Sequence, residues 1–385
     1  MPRYLFVLIL AALPFLSGCA KNPTAPATKP VRTDNPLASS LDSLVDRAVR
    51  DYAAKPHTAG VSIAVIEGDQ VRCYDYGETR LGGGVLPDSN TVYEIGSMTK
   101  SFVATAIVSW LDEGSKSLDD PVDAALPATA ATGLQKNGTR ATFRELLDHT
   151  SGLPRVPQDL SAAPGYQADD PYRTYDSTRV YGYLAAHAPV YVPGTPPPTR
   201  SDASNWYSNL GYGVAGLVLE RQTGRSLEQV LNDRVCGPLG MSRTSIALPA
   251  SDFATPHDAQ GRTVPFWTFS GLAGAGALHS SLADMARFAR AELGLSAPDL
   301  QSIFARTQAP AVIVGGHDVF GLGWEFYELS NGLVLTLKDG GTGGSTSFIA
   351  LDRPRARALV WLSNNSVDSG GPAAFVRLME SFFTM

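Results

Sequence analysis

Runs with the composition and alternation of β-strands occur near both ends of this 385-residue chain and are scarce between them. That distribution constrains the fold more than any other feature. Near the start, residues 61–68 and 70–77 are β-branched or aromatic runs joined at Gly68-Asp69, the pattern of a hairpin. Near the end, four more runs follow, at 322–329, 333–338, 345–351 and 356–363. Short connections make such neighbours antiparallel. A sheet of this size needs cover on its faces, and helical patterns at 36–54 and 373–383 can supply it. The economical solution is an α+β fold: one antiparallel sheet flanked by helices and built from both chain ends. The Pro- and Gly-punctuated middle, about residues 118–278, then forms an inserted, mainly helical subdomain, with 211–221 as its clearest helix. A cleft between two such parts is where a small-molecule site is expected.

Three short motifs carry chemistry. Ser97-Met98-Thr99-Lys100 opens an apolar helix, and a spacing of three puts both side chains on one face. A serine hydroxyl is a weak nucleophile, and a neighbouring amine takes its proton if burial lowers the lysine pKa. The chain has seven lysines against 24 arginines and a single Ser-x-x-Lys. Tyr207-Ser208-Asn209 precedes the 211–221 helix; the tyrosine suits a general-base role and the asparagine offers an amide to a substrate amide. The alternative Ser201-Asp202-Ala203 lacks the amide and sits in a polar loop. Lys338-Asp339-Gly340 ends a strand run and is followed by Gly341-Thr342-Gly343-Gly344. Glycines on an edge strand admit a ligand backbone. A phosphate loop is excluded there, because a strand follows rather than a helix.

The order and spacing of the three motifs resemble the serine β-lactamases and penicillin-binding proteins. Tyr-x-Asn in second place is similar to the class C β-lactamase branch and its D-alanyl-D-alanine carboxypeptidase relatives. So are His149-Thr150-Ser151-Gly152-Leu153-Pro154 and the stretches Tyr76-Gly77-Glu78-Thr79-Arg80, Ala275-Gly276-Ala277-Leu278 and Gly321-Leu322-Gly323-Trp324. The likeness covers about residues 40–383 and extends to carboxypeptidase/endopeptidases of the AmpH type. It implies a β-lactamase/transpeptidase-like fold and an acyl-enzyme on Ser97, with Lys100 and Tyr207 sharing the acid/base role. Backbone N–H groups of Ser97 and Gly341 would form an oxyanion hole beside Gly340, Asn209 would orient a substrate amide, and Lys338 would keep the site positive. D-alanyl peptides of peptidoglycan or β-lactam-like amides are the implied substrates. Asp339 departs from the pattern, where Thr, Ser or Gly is usual; an aspartate repels a substrate carboxylate unless it turns away or pairs with a cation. That leaves room for an esterase or amidase of the same fold, and a non-catalytic peptidoglycan-binding protein is the rival from another class.

The N-terminus reads as an export signal: Arg3, a short apolar run over 4–15, then Leu16-Ser17-Gly18-Cys19, which resembles the lipobox of bacterial lipoproteins. The expectation is a signal peptide over 1–19, lipidation of Cys19, a flexible tether over 20–35 and a hydrolase domain over 36–385. The protein would then be a periplasmic lipoprotein of the cell envelope, held to a membrane by its acyl chains. Net charge −6 without a Lys/Arg cluster argues against a nucleic-acid partner. The six histidines lack paired metal-ligand spacing, and no dinucleotide fingerprint or Gly-x-Ser-x-Gly elbow is present, so no metal or organic cofactor is implied. Cys73 and Cys236 either pair or remain buried thiols.

Overall fold

A computed structural model describes residues 28–385. The expected signal peptide and Cys19 lie outside the described residues. Strands β1 (Gly60–Glu67) and β2 (Gln70–Gly77) form the first hairpin. Four short strands come next: β3 (Val92–Glu94), β4 (Gln135–Lys136), β5 (Thr139–Arg140) and β6 (His279–Ser281). Then follow β7 (Val312–Val314), β8 (His317–Phe320), β9 (Glu325–Glu328), β10 (Val334–Gly341), β11 (Thr346–Asp352) and β12 (Arg357–Ser363). Among the described residues the main sheet has eight strands in the order β2-β1-β12-β11-β10-β9-β8-β7, antiparallel throughout. β3 pairs with β6 and β4 with β5. The two chain ends meet where β1 lies against β12, with Ile63 opposite Trp361.

Period-2 alternation gives the sheet two apolar faces. Val61, Ile63, Val65, Phe348, Ala350, Leu359 and Trp361 point to one side. There they pack on helices Ser40–Ala53 and Gly371–Phe383; Phe375 stacks on Phe348 with ring centroids 4.5 Å apart, and Tyr52 meets Trp361 at 5.5 Å. Ala64, Ile66, Ile349, Leu351, Ala358, Val360 and Leu362 point to the other side, into a core shared with Leu282–Glu292 and the helical part of the chain. Truncating a fully buried side chain such as Trp361 costs about 3–5 kcal/mol. Helix Ser40–Ala53 starts on a capping box, Ser39 with Asp42, which satisfies two otherwise unpaired N–H groups.

Three expectations change. Residues 28–35, read as tether, lie against the domain: Thr33 bridges to Tyr76, and the Asn35 amide donates to Asp42 O (2.9 Å) and Tyr76 Oη (2.6 Å). The polar composition of this stretch hid its partners, which are hydrogen bonds together with the packing of Val31 on the apolar cluster of that face. The run expected as a strand over 322–329 is ladder only at Glu325–Glu328. Its first residues give their N–H groups elsewhere, Leu322 to Thr307 O and Gly323 to Leu147 O. β10 is interior rather than an edge, but β9 covers it only over Val334–Leu337, leaving one side open from Lys338 to Gly341. Cys73 and Cys236 are both free thiols, and no described helix is long and apolar enough to cross a membrane.

Candidate active site

The site is assembled where a short helical turn faces the open side of β10. Gly96–Met98 is a 3₁₀ turn that runs into helix Thr99–Glu113, so Ser97 stands one turn before Lys100. Four hydrogen bonds pin this turn. Ile95 N–H donates to Leu278 O (3.0 Å), Ser347 Oγ to Ile95 O (2.8 Å), Thr99 Oγ1 to Gly96 O (2.7 Å) and Leu278 N–H to Thr99 Oγ1 (3.1 Å). Gly96 has φ +49° and its missing side chain lets the turn approach β10: a Cβ there would stand 2.8 Å from Gly341 N.

Lys100 is fully buried. Its Nζ donates to Ser97 Oγ (2.9 Å) and to Ala275 O (2.6 Å), and it lies 4.9 Å from the Tyr207 ring centroid. Burial, then the positive charges of Lys338 and Arg155, hold its pKa well below the ordinary lysine value. Tyr207 is also buried, with its phenol toward Ser97, and its pKa is raised by burial, with Lys338 opposing. Burial thus disfavours the ammonium of Lys100 and the phenolate of Tyr207, the two groups that flank the Ser97 hydroxyl.

Lys338 Nζ is 5.0 Å from the Tyr207 ring, ion-paired to Glu325 and 3.2 Å from Asp339 Oδ1. Burial disfavours its ammonium, but Glu325, Tyr207 and Asp339 outweigh that and raise its pKa well above the usual value. Asp339 thus takes the second of the two courses open to it: it pairs with the adjacent lysine. Asn209, at the first position of helix Asn209–Thr223, donates from Nδ2 to Tyr172 Oη (3.2 Å), while its buried Oδ1 has no partner.

Ser97, Tyr207, Asn209, Asp339 and Gly341 line one cavity of about 190 Å³. Gly340 does not: it faces inward, packed against Ile95 and Ser347. Its small size brings β10 against the Ser97 turn rather than admitting a ligand, because alternate residues of a strand point to opposite faces. The rejected Ser201-Asp202 lies apart from this cavity, in an exposed 3₁₀ turn where Thr199 Oγ1 donates to Asp202 (2.5 Å).

Further residues shape the site, the first of them from the His149–Pro154 loop that the sequence singled out. His149, at φ +67°, stacks on Tyr207 at 4.3 Å and accepts the Ser208 N–H at Nδ1 (3.0 Å). Burial, then Lys100, Lys338 and Arg155, depress its pKa well below normal, so the ring stays neutral and can accept. It is a positioning residue for Tyr207. Glu325 sat visibly after Gly321-Leu322-Gly323-Trp324, yet nothing in that run told which way a strand carboxylate would face. Arg155, Tyr172, Trp267 and Phe269 also line the cavity, the last three packed on one another (Tyr172–Phe269 4.9 Å, Tyr172–Trp267 5.4 Å). Glu94, buried beneath the rim, accepts from Thr342 Oγ1 (2.7 Å), Ser345 Oγ (3.0 Å) and Trp267 N–H (2.7 Å); burial pushes its pKa up to about 7. Among the described residues no cluster of His, Cys, Asp and Glu could hold a metal ion.

Comparison with known proteins places this geometry. Residues 45–378 match the family model described as Beta-lactamase. The D-alanyl-D-alanine-carboxypeptidase/endopeptidase AmpH of Escherichia coli (strain K12) is 29% identical over 339 residues, covering 84% of this chain and 83% of that protein. A Beta-lactamase of Pseudomonas fluorescens is 26% identical, covering 89% of this chain and 91% of its own. Among solved structures, a Beta-Lactamase/D-Alanine Carboxypeptidase from Pseudomonas syringae superposes with a TM-score of 0.72 at 22% identity, over 89% of this chain and 99% of the other.

Proposed function

The chain belongs to the Beta-lactamase family of serine hydrolases, and on that premise we propose that Ser97 forms an acyl-enzyme with D-alanyl peptides of peptidoglycan or with β-lactam-like amides. The observation that carries this reading is the Ser97 hydroxyl hydrogen-bonded to the buried Lys100 amine (2.9 Å), whose pKa burial lowers, with the buried Tyr207 phenol beside it. Ser97 Oγ attacks the substrate carbonyl carbon and its proton passes to Lys100 Nζ. Charge developing on the carbonyl oxygen falls between the backbone N–H groups of Ser97 and Gly341. As the tetrahedral intermediate collapses, Tyr207 gives its proton to the leaving nitrogen and recovers one from Lys100. Water then repeats the sequence on the acyl-enzyme. Lys338 steadies the negative charge that Tyr207 carries in passing, and Asn209 holds the amide on the acyl half of the substrate, for which its unpartnered Oδ1 is available.

Asp339 favours a second reading within the same chemistry. With a carboxylate beside Lys338 at the open edge of β10, amides and esters lacking a terminal carboxylate are better suited than a strict carboxypeptidase substrate. The lipobox supports placement in the cell envelope as a lipoprotein, tested by loss of acyl-chain labelling in Cys19→Ala.

The test of Ser97 is intact-protein mass after exposure to a fluorescent penicillin, with Ser97→Ala alongside. An adduct or turnover in the wild type and neither in the variant is expected. A folded wild-type protein that shows neither adduct nor turnover, with penicillin or with a p-nitrophenyl ester, refutes the hydrolase mechanism and leaves the binding-protein alternative.

A further inference from the structure

The charges around the cavity are unevenly answered. Lys338 faces two carboxylates, Glu325 and Asp339, so the edge of β10 offers little net attraction to an anion. Lys100 is fully buried and does not line the cavity. The remaining cation on the wall is Arg155, which follows the His149–Pro154 loop. Its backbone carbonyl accepts the N–H groups of Asn209 (2.8 Å) and Leu210 (3.2 Å), fixing it beside the start of helix Asn209–Thr223. Its guanidinium lies 5.3 Å from the Tyr207 ring centroid. Among the described residues that guanidinium has neither an ion-pair nor a hydrogen-bond partner. An arginine held on a cavity wall by an aromatic ring rather than by an anion retains five donors in a fork that matches a carboxylate.

We propose that Arg155 is a specificity-determining residue that binds a carboxylate on the acyl half of the substrate, so that the preferred peptides carry an acidic side group ahead of the scissile bond. The inference rests on the acyl-enzyme reading above, through the placing of the acyl half along Asn209. Three features set the geometry. Arg155 and Asn209 share one wall with Tyr172, so a substrate amide on Asn209 brings its neighbouring side chain toward the guanidinium. Asp339 stands on β10, the strand edge that would accompany the leaving group, and repels a carboxylate there. Tyr172, Trp267 and Phe269 give the acyl side an aromatic surface along which an aliphatic stem can lie with its charged end on Arg155. The chain thus reverses the charge preference of its two walls: acidic on the acyl side, neutral on the leaving side.

Binding without turnover tests this apart from the chemistry. In a Ser97→Ala background, calorimetry would measure the affinity of N-acetyl peptides ending in D-alanyl-D-alanine. The residue before that dipeptide carries either a side-chain carboxylate or the carboxamide in its place. The acid is expected to bind at least tenfold more tightly, the gain typical of one charge-assisted fork. Adding Arg155→Gln should bring the ratio below twofold, while Arg155→Lys retains part of it; a variant that merely loosened the site would weaken both peptides alike. A ratio below threefold at the outset, or one that Arg155→Gln leaves unchanged, overturns the proposal. So does an Arg155→Gln effect that follows amidation of the C-terminal carboxylate instead of the side chain, and so does failure of either peptide to bind. Hydrolysis of the same peptides by the wild-type chain reports separately on Ser97: binding selectivity without hydrolysis would refute the catalytic reading alone.

Discussion

Substituting Gly340 by alanine separates the geometry of this site from its composition. The new methyl would sit 2.5 Å from Ser347 Oγ and 3.0 Å from the Ile95 carbonyl carbon, and closer still to the Ile95 oxygen. Ordinary contacts begin near 3.4 Å, so β10 and the Ser97 turn must separate by about 1 Å. Neither side yields easily: Ile95 O already accepts from Ser347 Oγ, Ile95 N–H donates to Leu278 O, and Gly340 is held in register opposite Ser347 of β11. Overpacking of this kind costs about 1–3 kcal/mol of stability. The larger effect falls on the reaction, since the two N–H groups of the proposed oxyanion hole, on Ser97 and Gly341, sit on opposite sides of the joint that opens. A misplacement of about 1 Å costs on the order of a hundredfold in rate. The assay is the second-order rate of acylation by a fluorescent penicillin, with a thermal melt of each protein. Gly182→Ala, in helix Ser177–Ala186, is the control: nothing stands within 4 Å of its new methyl. An acylation rate for Gly340→Ala within threefold of wild type, in a folded protein, would refute the argument that the joint sets the hole.

Other perturbations read other parts. Asp339→Thr removes one of the two carboxylates on Lys338, and acylation by carboxylate-bearing penicillins should rise by about tenfold, the worth of one partly buried charge pair; an unchanged rate in stopped-flow would show that Asp339 does not repel the substrate. Glu94 binds its proton more tightly in the folded protein, with its pKa raised to about 7 from an ordinary 4.5. Its contribution is therefore complete below about 4.5 and is lost as pH rises through 7. Glu94→Gln should flatten that part of the melting-temperature profile, and parallel profiles would contradict it. His149→Ala removes the acceptor of the Ser208 N–H and the ring under Tyr207. Acylation should fall about tenfold or more, with His149→Asn restoring part of it through its side-chain oxygen; equal loss in both variants would argue against positioning through that hydrogen bond.

The sequence was most informative where physics is local. The hairpin at Gly68-Asp69, the helix after Ser208 and the late strands followed from alternation, caps and turn residues, and each appears within a few residues of its expected bounds. β7 and β8 carry a shorter signal, Val312-Ile313-Val314 and Val319-Phe320 around Gly315-Gly316, and are not among the expected strands. The Ser97, Lys100, Tyr207 and Asn209 side chains converge because each sits at the end of a helical element, and Lys338 joins them where β9 stops covering β10. Glu325, Arg155 and Glu94 could not be found that way. Their meaning depends on which carboxylate meets which cation across the cleft, and no spacing along the chain encodes that.

The junction of β1 with β12 also governs how the molecule can be made. Ser363 Oγ donates to Gly60 O across 303 residues of chain, and closing a loop of that size costs about 5 kcal/mol in entropy before any contact repays it. During synthesis the first hairpin has apolar residues on both faces and waits for nearly the whole of translation before its neighbour exists. High contact order of this kind makes folding slow and the waiting strands prone to association. The polypeptide is therefore obliged to remain open until its last strand is made, and a prematurely ended copy would be a target for chaperones and proteases rather than a partially active enzyme.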